Sequence, residues 1–209
     1  MWSLLALLPS TLEDDLFLLD KRTAHRQGIE PTLQRPALSG DEIRDWRADT
    51  NVVAVFPYDL DFEPVAALPQ MAGRYMWLGR TGIANSKMFG GRTKVECGYK
   101  WFEFGRLTPD KLRTPLTITF AFVATHNHFI LDRGGKVFNR TAPIIKLRAG
   151  ASEDDHLGLL GLLNCSAACF WMKSIFQNRG AGGGTRVASG HSPLRRAVQF
   201  SGLVRVGRV

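Results

Sequence analysis

The stretch LTITFAFVATHNHFILDRGGKVF, residues 116–138, carries the clearest β-strand pattern in the sequence. Residues 116–126 are rich in β-branched and aromatic side chains, which suit the pleated surface of a sheet. Residues 129–132 form a second short apolar segment. The Gly134-Gly135 pair permits positive φ angles and therefore a tight reversal into a third strand. The stretch predicts a run of short antiparallel strands.

The pattern changes from strands to helices after this stretch. A strand at residues 142–147 completes an antiparallel meander. Ser152 and the three acids that follow it resemble a capping box, which satisfies the first N–H groups of a helix. Two apolar segments, residues 157–163 and 167–176, then predict two consecutive helices or one broken helix. Because these segments are apolar nearly all round, we expect them to be mostly buried on the sheet.

The first hundred residues mix short strands, one helix and loops. Strands are predicted at residues 14–20, 36–46 and 51–56, and a short helix at residues 21–28. Residues 59–74 are predicted to form a surface segment, and residues 75–100 to form loops and short strands that display polar groups. The resulting fold class is α+β, with a twisted, mainly antiparallel sheet and C-terminal helices packed on it.

The basic charge of the chain is concentrated at its C-terminal end. Of the 27 lysines and arginines, five lie in residues 180–209, which contain no acid, so residues 1–179 hold only +3 of the net charge of +8. This tail lacks periodicity and is predicted to be disordered. Two interpretations of it stay open: a basic arm for nucleic acid, or translation of GC-rich DNA in a shifted frame. The predicted organisation is an apolar lead-in at residues 1–13, a domain at residues 14–179 and the tail.

The cysteines and the apolar segments indicate a cytoplasmic protein. Cys97, Cys165 and Cys169 are an odd number without CxxC spacing, which fits free thiols in a reducing compartment. Cys165 and Cys169 are expected to be buried. The apolar start at residues 1–9 has no basic flank and is far shorter than the roughly 20 residues that a membrane-spanning helix needs. No membrane partner is therefore expected.

No self-contained active site is present in the sequence. It contains no Pro-Pro pair, so the Asn-Pro-Pro-aromatic type of motif of amino-methyltransferases is absent. It also contains no GxGxxG after a strand, no GxSxG and no HExxH. His126 and His128 could supply half of a metal site, but a polar patch at a strand end is favoured because no carboxylates follow at suitable spacing. We expect no catalytic, cofactor-binding or metal-binding residue in this chain.

Eight short motifs lie along the body of the chain, and the middle and late ones match one family in order and spacing. They are GDEIRDW (40–46), VFPY (55–58), KWFEFGR (100–106), ATHNHF (124–129), LDRGGKVFN (131–139), SEDDHL (152–157), LGLLN (160–164) and CFW (169–171). Through these motifs, about four-fifths of the chain resembles the target-recognition, or specificity, region of the PglX family. These proteins are adenine-specific DNA methyltransferases of BREX and phage growth limitation defence systems.

The resemblance implies a role in reading DNA for a methyltransferase of a phage-defence system. In that family a catalytic domain binds S-adenosylmethionine and carries the Asn-Pro-Pro-aromatic motif, and both are missing here. The resemblance therefore implies double-stranded DNA, a methyltransferase catalytic domain and other BREX proteins as partners, with no methyltransferase activity by this chain alone. Because the family pattern also stops after Arg179, we expect a fragment of an interrupted gene. A protein-interaction module of the defence complex and a non-functional gene remnant are the alternatives.

The candidate DNA-contacting residues are basic, amide or aromatic side chains, most of them in loop-rich parts of the sequence. Lysine and arginine would hold phosphates, while arginine, lysine and asparagine would read base edges. The candidates are Arg44, Trp77, Arg80, Asn85, Lys87, Arg92, Lys94, Lys100 and Asn127. Arg92 and Lys94 flank Thr93 and are predicted to share one face of an extended segment.

Seven other large aromatic side chains are predicted to fill the core rather than to contact a ligand. Burying such a side chain removes a large apolar surface from water. The set comprises Trp46, Trp101, Trp171, Phe120, Phe122, Phe129 and Phe138.

Overall fold

The computed structural model describes residues 3–4, 11–44, 46–88, 90–175 and 198–199 of the 209-residue chain. Its strands are β1 (Ser3–Leu4), β2 (Leu18–Asp20), β3 (Gln34–Leu38), β4 (Ile43–Arg44), β5 (Arg47–Ala48), β6 (Val52–Val55), β7 (Thr117–Phe120), β8 (Val123–Ala124), β9 (Phe129–Asp132), β10 (Val137–Phe138), β11 (Ile144–Lys146) and β12 (Val198–Gln199). Its helices are α1 (Asp14–Phe17), α2 (Lys21–Arg26), α3 (Gln70–Trp77), α4 (Arg80–Asn85), α5 (Pro109–Leu112), α6 (Glu153–Asn164) and α7 (Ser166–Ile175). Short 3-10 turns lie at Pro31–Leu33, Gly40–Glu42 and Val95–Cys97.

Most strands belong to two sheets. Within the described residues, each of these sheets has four strands, in the orders β1, β11, β7, β9 and β10, β3, β6, β2. All their neighbouring strands run antiparallel except β10 and β3, which are parallel. Smaller antiparallel pairings join β4 to β5 and β12 to β8. The mixture of helices with mainly antiparallel sheets confirms the predicted α+β class.

The predicted antiparallel meander is wrong at its third strand. β7 pairs with β9 as expected, and β11 pairs with the other edge of β7. Gly134 and Gly135 do adopt positive φ angles, of 94° and 81°. However, β10 leaves this sheet and pairs with β3 in the other one. The local sequence specifies the turn, whereas long-range contacts decide which strand β10 joins.

Two apolar cores meet at the β3–β10 pair. The first core contains Leu38 and Phe138, and the second core contains Ala37 and Val137. Because successive side chains of a strand point to opposite faces, this one pair of strands supplies both cores. Because β10 follows β9 after the Gly134-Gly135 turn, the chain passes from one sheet to the other at this point.

The first core holds the phenylalanines that the sequence assigns to it. Phe120, Phe129 and Phe138 are buried, and Phe122 packs half-buried against the same cluster. The rings of Phe120 and Phe129 stack across the β7–β9 pair with their centroids 5.1 Å apart. This part of the predicted core is confirmed.

The second core is built from aromatic residues on either side of the β3–β6 region. The ring of Phe104 meets those of Phe17 and Phe56 edge to face, at centroid distances of 5.1 and 5.6 Å. Aromatic rings prefer this arrangement because the positive edge of one faces the negative face of the other. Helices α3 and α4 pack on this core through Met76 and Ile83.

The N-terminal elements agree with the sequence predictions only in part. The predicted helix at residues 21–28 and the predicted strand at residues 51–56 are present as α2 and β6. Residues 14–20 instead begin with one helical turn, α1, before β2. Two acids in the first turn of α1 favour the helix because they face its positive end. The predicted strand at residues 36–46 is interrupted by the 3-10 turn at Gly40–Glu42.

Helices α6 and α7 begin as predicted but are less buried than expected. The Ser152 hydroxyl accepts the Asp155 N–H at 3.1 Å, and the Asp155 carboxylate accepts the Ser152 N–H at 2.9 Å. α6 packs against β9 and β7, with Leu160 and Met172 of the two helices reaching the first core. The prediction of mostly buried helices is wrong, because only one side of each can face the sheet. Exposed apolar residues are Leu157, Leu162, Phe170, Trp171 and Ile175.

Most of the lead-in at residues 1–13 and of the tail at residues 180–209 lies outside the described residues. The prediction of a disordered tail therefore concerns residues outside them, except at Val198–Gln199. Within these two segments the structure gives β1, which pairs with β11, and β12, which pairs with β8. The boundary at residue 179 stays a prediction.

Gly40 lies at the junction of the two sheets. A Cβ atom at this position would lie 2.2 Å from the carbonyl oxygen of Thr141, which is far inside van der Waals contact. The Gly40 N–H donates to the Thr141 hydroxyl at 2.9 Å, and the Asn139 N–H donates to the Leu38 carbonyl at 3.1 Å. Because the obstructing atom belongs to a hydrogen-bonded backbone, only glycine fits here without displacing the β10 side of the junction.

We expect Gly40→Ala to lower the free energy of unfolding by about 3 kcal/mol, because the added methyl overpacks the junction. Urea denaturation followed by tryptophan fluorescence measures the change. Gly158→Ala in α6 is the matched control, since nothing lies within 4 Å of its Cβ position. The control is expected to raise stability by about 1 kcal/mol, the difference in helix propensity. Similar small effects from both substitutions would contradict the close contact.

Candidate nucleic-acid interface

Helices α3 and α4 carry three of the candidate DNA-contacting residues, in a region where the sequence predicts a surface segment and loops. The prediction of loops and short strands is wrong for the part of residues 75–100 that forms the end of α3 and α4. The sequence does not indicate α3 because the start of this helix is stabilised from far away in the chain. Its N-cap position is Pro69, which offers no side-chain acceptor. The Glu30 carboxylate instead accepts the N–H groups of Met71 and Ala72, at 2.8 and 3.0 Å. Desolvation raises the pKa of Glu30, but hydrogen bonds from backbone N–H groups outweigh it and the net pKa is lowered.

Trp77 and Arg80 lie together at the junction of α3 and α4. The guanidinium carbon of Arg80 lies 4.3 Å from the centroid of the Trp77 ring and 5.9 Å from that of Trp101. The two indoles meet edge to face with their centroids 6.1 Å apart. Cation–π and edge-to-face contacts of this kind favour the observed arrangement of the three side chains. We call Trp77, Arg80 and Trp101 the Trp77 cluster.

An open groove of about 530 Å³ runs beside the Trp77 cluster. Its lining residues are Ala66, Ala67, Leu68, Gly73, Arg74, Trp77, Trp101 and Phe102. Arg74 is exposed, so the groove combines an apolar floor with a cation. Sequence reasoning missed Arg74 and assigned Trp101 to the core. Arg74 and Trp77 are related as i and i+3, which places them on the same face of a helix. This signal could not be applied because the sequence pattern does not predict α3.

A short hairpin follows α4 and presents two further cations. Lys87 and Thr93 form a β-bridge, and the Met88 N–H donates to the Arg92 carbonyl at 2.8 Å. The turn uses positive φ angles at Gly90 and Gly91. Lys87 and Arg92 are exposed, as is Asn85 at the end of α4. We call residues 87–88 and 90–93 the Lys87 hairpin.

Glu96 offsets part of the positive charge of the Lys87 hairpin. Its carboxylate accepts the Thr93 N–H at 2.7 Å and the Thr93 hydroxyl at 2.9 Å. These hydrogen bonds, and then the charges of Arg92 and Lys87, lower the pKa of Glu96. The hairpin is therefore moderately rather than strongly positive.

The prediction that Lys94 shares a face with Arg92 is wrong. Its side chain is fully buried, with 0% relative exposure, whereas Arg92 is exposed. The Lys94 ammonium donates to the carbonyls of Thr11 and Glu103, at 3.1 and 2.9 Å, and lies 5.3 Å from the centroid of the Phe17 ring. The backbone of Lys94 is helical, at φ −53° and ψ −48°, so the alternation of an extended segment ends before it. Lys94 is not available to DNA in this structure.

Three other candidates have their polar groups bonded within the fold. The Lys100 ammonium donates to the Val65 carbonyl at 2.7 Å. The Asn127 amide donates to the carbonyls of Leu163 and Cys165 at the end of α6, at 2.6 and 3.3 Å. Arg44 is exposed but donates to two carbonyls of its own turn. Arg44 and Asn127 lie far from the Trp77 cluster in the sequence, whereas Lys100 directly precedes Trp101. The polar groups of all three residues have partners within the fold.

The core assignment of the tryptophans is wrong for two of the three. Trp46 is 59% exposed, in the turn between β4 and β5, with a positive φ of 69°. Trp171 is 56% exposed on α7. Trp101 is half-buried and packs against the second core, as expected. The exposure of Trp46 and Trp171 cannot be predicted from their residue type, because residue type does not specify the face on which a side chain lies.

A second cleft, of about 900 Å³, is lined by more acids than cations. It contains Glu13, Asp14, Asp15, Glu63 and Glu103, with Arg106 and Arg140 as its cations. This balance of charge repels a phosphate backbone. The cleft is therefore a poorer candidate for nucleic acid than the surface formed by the Trp77 cluster and the Lys87 hairpin.

Metal and cysteine chemistry has little support in the described residues. No group of three or more histidine, cysteine or acidic side chains is placed to hold a metal ion among them. The rings of His126 and His128 lie 6.4 Å apart, centroid to centroid. Cys97, Cys165 and Cys169 are free thiols in the structure, and each is half-buried rather than buried. The Cys165 sulfur accepts the Ala168 N–H at 3.3 Å in the first turn of α7.

The exposed side of α6 and α7 forms an apolar surface distinct from the basic one. Phe170 is 76% exposed and Leu162 is 63% exposed, beside Trp171 and Ile175. Large apolar side chains exposed in this way occur on surfaces that contact another protein. Within the described residues no single helix has the length and hydropathy to cross a membrane, and α6 and α7 meet those limits only together, across a 63° bend.

Comparison with known proteins relates most of this chain to one part of a much longer enzyme. The chain is 42% identical to the adenine-specific methyltransferase PglX of Streptomyces coelicolor over 169 aligned residues. This alignment covers 80% of the chain. The same alignment covers 14% of that protein, so the chain spans about one-seventh of the length of its relative. No family model matches the chain. The chain is thus related to a segment of an adenine-specific methyltransferase.

We expect the burial of Lys94 to make stability depend on pH above neutrality. Desolvation lowers the pKa of Lys94 to about 8, against the opposing charges of Glu13 and Glu103. Between pH 8 and its unfolded value of about 10.4, the unfolded chain holds a proton that the folded chain has lost, so folding is favoured as pH rises. Over that window the free energy of unfolding of the wild type should rise, relative to Lys94→Met, by up to about 3 kcal/mol.

Urea denaturation of both proteins between pH 7 and 10 measures this difference. Lys173→Met, at an exposed lysine of α7, is the control and should follow the wild type at every pH. A constant gap between the wild type and Lys94→Met across the whole range would show that Lys94 is not desolvated as described.

Proposed function

We propose that this chain recognises double-stranded DNA as the specificity module of an adenine-specific DNA methyltransferase. The observation that carries the proposal is the similarity to such a methyltransferase over four-fifths of the chain. A methyltransferase of that kind must read a DNA sequence and gain access to an adenine base. In a BREX-like phage-defence system, this module would select the sites that the enzyme modifies.

Exposed side chains on α3, α4 and the Lys87 hairpin support this role. They present three kinds of contact within 19 residues of sequence, positions 74–92: cations, an amide and an exposed indole. The residues are Arg74, Trp77, Arg80, Asn85, Lys87 and Arg92. Cations fix the register of a duplex through its phosphates, while an arginine or asparagine in the major groove distinguishes the bases. We assign Lys87 and Arg92 to the phosphates because they are exposed on a short hairpin.

The catalytic step would be supplied by another part of the methyltransferase. S-adenosylmethionine, the methyl donor implied for the parent enzyme, would require a crevice at the carboxyl ends of parallel strands in an α/β sheet. In the described part of the chain, β3 and β10 are the parallel pair, and the space after β3 is filled by the contact of Gly40 with Thr141. The described residues do not provide a crevice of this kind, and the proposed contribution of the chain is DNA binding.

A protein-interaction module is the second candidate, because of the apolar surface on α6 and α7. Phe170 and Leu162 are more exposed than is usual for such large apolar side chains. The catalytic part of the methyltransferase, or another BREX protein, would cover them. The two roles are compatible because the basic and apolar surfaces belong to elements that pack on different cores.

We expect Lys87→Ala/Arg92→Ala to weaken binding to a DNA duplex and to reduce its salt dependence. Each phosphate contact contributes about −0.9 to the slope of log K against log salt, so losing two contacts should flatten the slope by about 2. Fluorescence anisotropy of a labelled duplex at several salt concentrations measures both quantities.

Arg148→Ala/Lys173→Ala is the matched control because it removes the same charge from exposed residues of the other half of the fold. It should leave the slope within experimental error of the wild type. If both double variants change the slope equally, the binding is non-specific attraction to net charge. If the wild type shows no salt-dependent binding, the proposed function is wrong and the interaction role takes its place.

A further inference from the structure

The Trp77 indole is exposed and also contacts two other side chains of the fold. It is 58% exposed, although Arg80 covers one of its faces and Trp101 meets it edge on. The helix that carries it is fixed at its start by the Glu30 carboxylate. An indole that is ordered before binding loses little conformational entropy when a partner stacks on it. Its position suits recognition of a flat ligand.

The groove beside Trp77 has the composition of a site for a flat ring attached to an anion. Ala66, Ala67 and Gly73 leave its floor low, while Trp77 and Trp101 contribute aromatic surfaces. Its volume of about 530 Å³ lies in the range of roughly 300–1,000 Å³ that small-molecule sites occupy. The exposed Arg74 adds a cation for a phosphate. A nucleobase with its backbone phosphate has this combination of chemistry.

We propose that the Trp77 cluster and its groove take up a nucleobase that has left its base pair. A paired base offers only its edges in the grooves of a duplex, because both of its faces are stacked on neighbours. A ring that stacks on Trp77 must therefore come from an unpaired position or a single-stranded segment. This inference rests on the proposed function and adds a contact to it: the module binds phosphates with the Lys87 hairpin and an exposed base with the Trp77 cluster.

An apolar segment of a partner protein is the other possible occupant of the groove. Two features favour the base: the cation at the groove, Arg74, and the cation stacked on the indole, Arg80. Positive charge adds attraction for nucleic acid but none for an apolar peptide. Hot-spot tryptophans in protein interfaces usually lie in desolvated pockets rather than in open grooves.

The test compares two labelled duplexes that differ only in one unpaired adenine. Anisotropy titrations use the full chain as the wild type, Trp77→Leu, Trp77→Phe and Trp171→Leu. The wild type should bind the duplex with the unpaired adenine about tenfold more tightly than the paired one, as expected for one stacked base. Trp77→Leu should lose this preference while keeping the salt slope, because stacking releases no counterions. Trp77→Phe should keep most of the preference, and Trp171→Leu should keep all of it.

The possible failures separate the two proposals. If the wild type binds both duplexes equally, or if Trp77→Leu keeps the preference, the stacking site is wrong and the proposed function stands. Equal losses in Trp77→Leu and Trp171→Leu would also overturn the stacking site, because the two residues are similarly exposed on different helices. If the wild type binds neither duplex, both proposals are overturned.

Discussion

The parallel pairing of β3 with β10 is the contact on which the rest of the structure depends, since it supplies side chains to both cores and holds β10, which follows β9 of the other sheet, in its own sheet. It is only two residues long, with Leu38 opposite Phe138 at its end. Just beyond it, Gly40 approaches the backbone of Thr141, 101 residues away in sequence, too closely for any other residue. Gly40 is the first residue of the motif at positions 40–46, and close packing rather than a DNA contact explains why it is a glycine.

The fold therefore has two halves, one around each core, and their exposed surfaces differ in chemistry. The second core supports α3 and α4, which present the Trp77 cluster next to the Lys87 hairpin. The first core supports α6 and α7, which present an apolar surface. A recognition module of a larger enzyme needs both kinds of surface, one for DNA and one for the remainder of the protein. The chain spans about one-seventh of the length of its methyltransferase relative, which fits a module of this kind.

Features specified by neighbouring residues could be predicted from the sequence, and features specified by distant contacts could not. The capping box at Ser152 and the strands of the first core follow from local pattern. By contrast, α3 depends on an acceptor at Glu30, and β10 finds its partner in another sheet. The burial of Lys94 is the clearest case, because its two carbonyl acceptors come from separate parts of the chain. The sequence indicates Trp77 and Arg80 as candidates by their residue types. Their contact depends on how α3 meets α4, which the local sequence does not specify.

The central claim is that DNA binds on the α3–α4 side of the molecule. Hydrogen–deuterium exchange of the full chain, with and without a DNA duplex, tests it most directly because it reports on each element separately. We predict slower exchange in α3, α4 and the Lys87 hairpin when DNA is present, and unchanged exchange in α6 and α7. Slower exchange confined to α6 and α7, or no change anywhere at saturating DNA, would contradict the account.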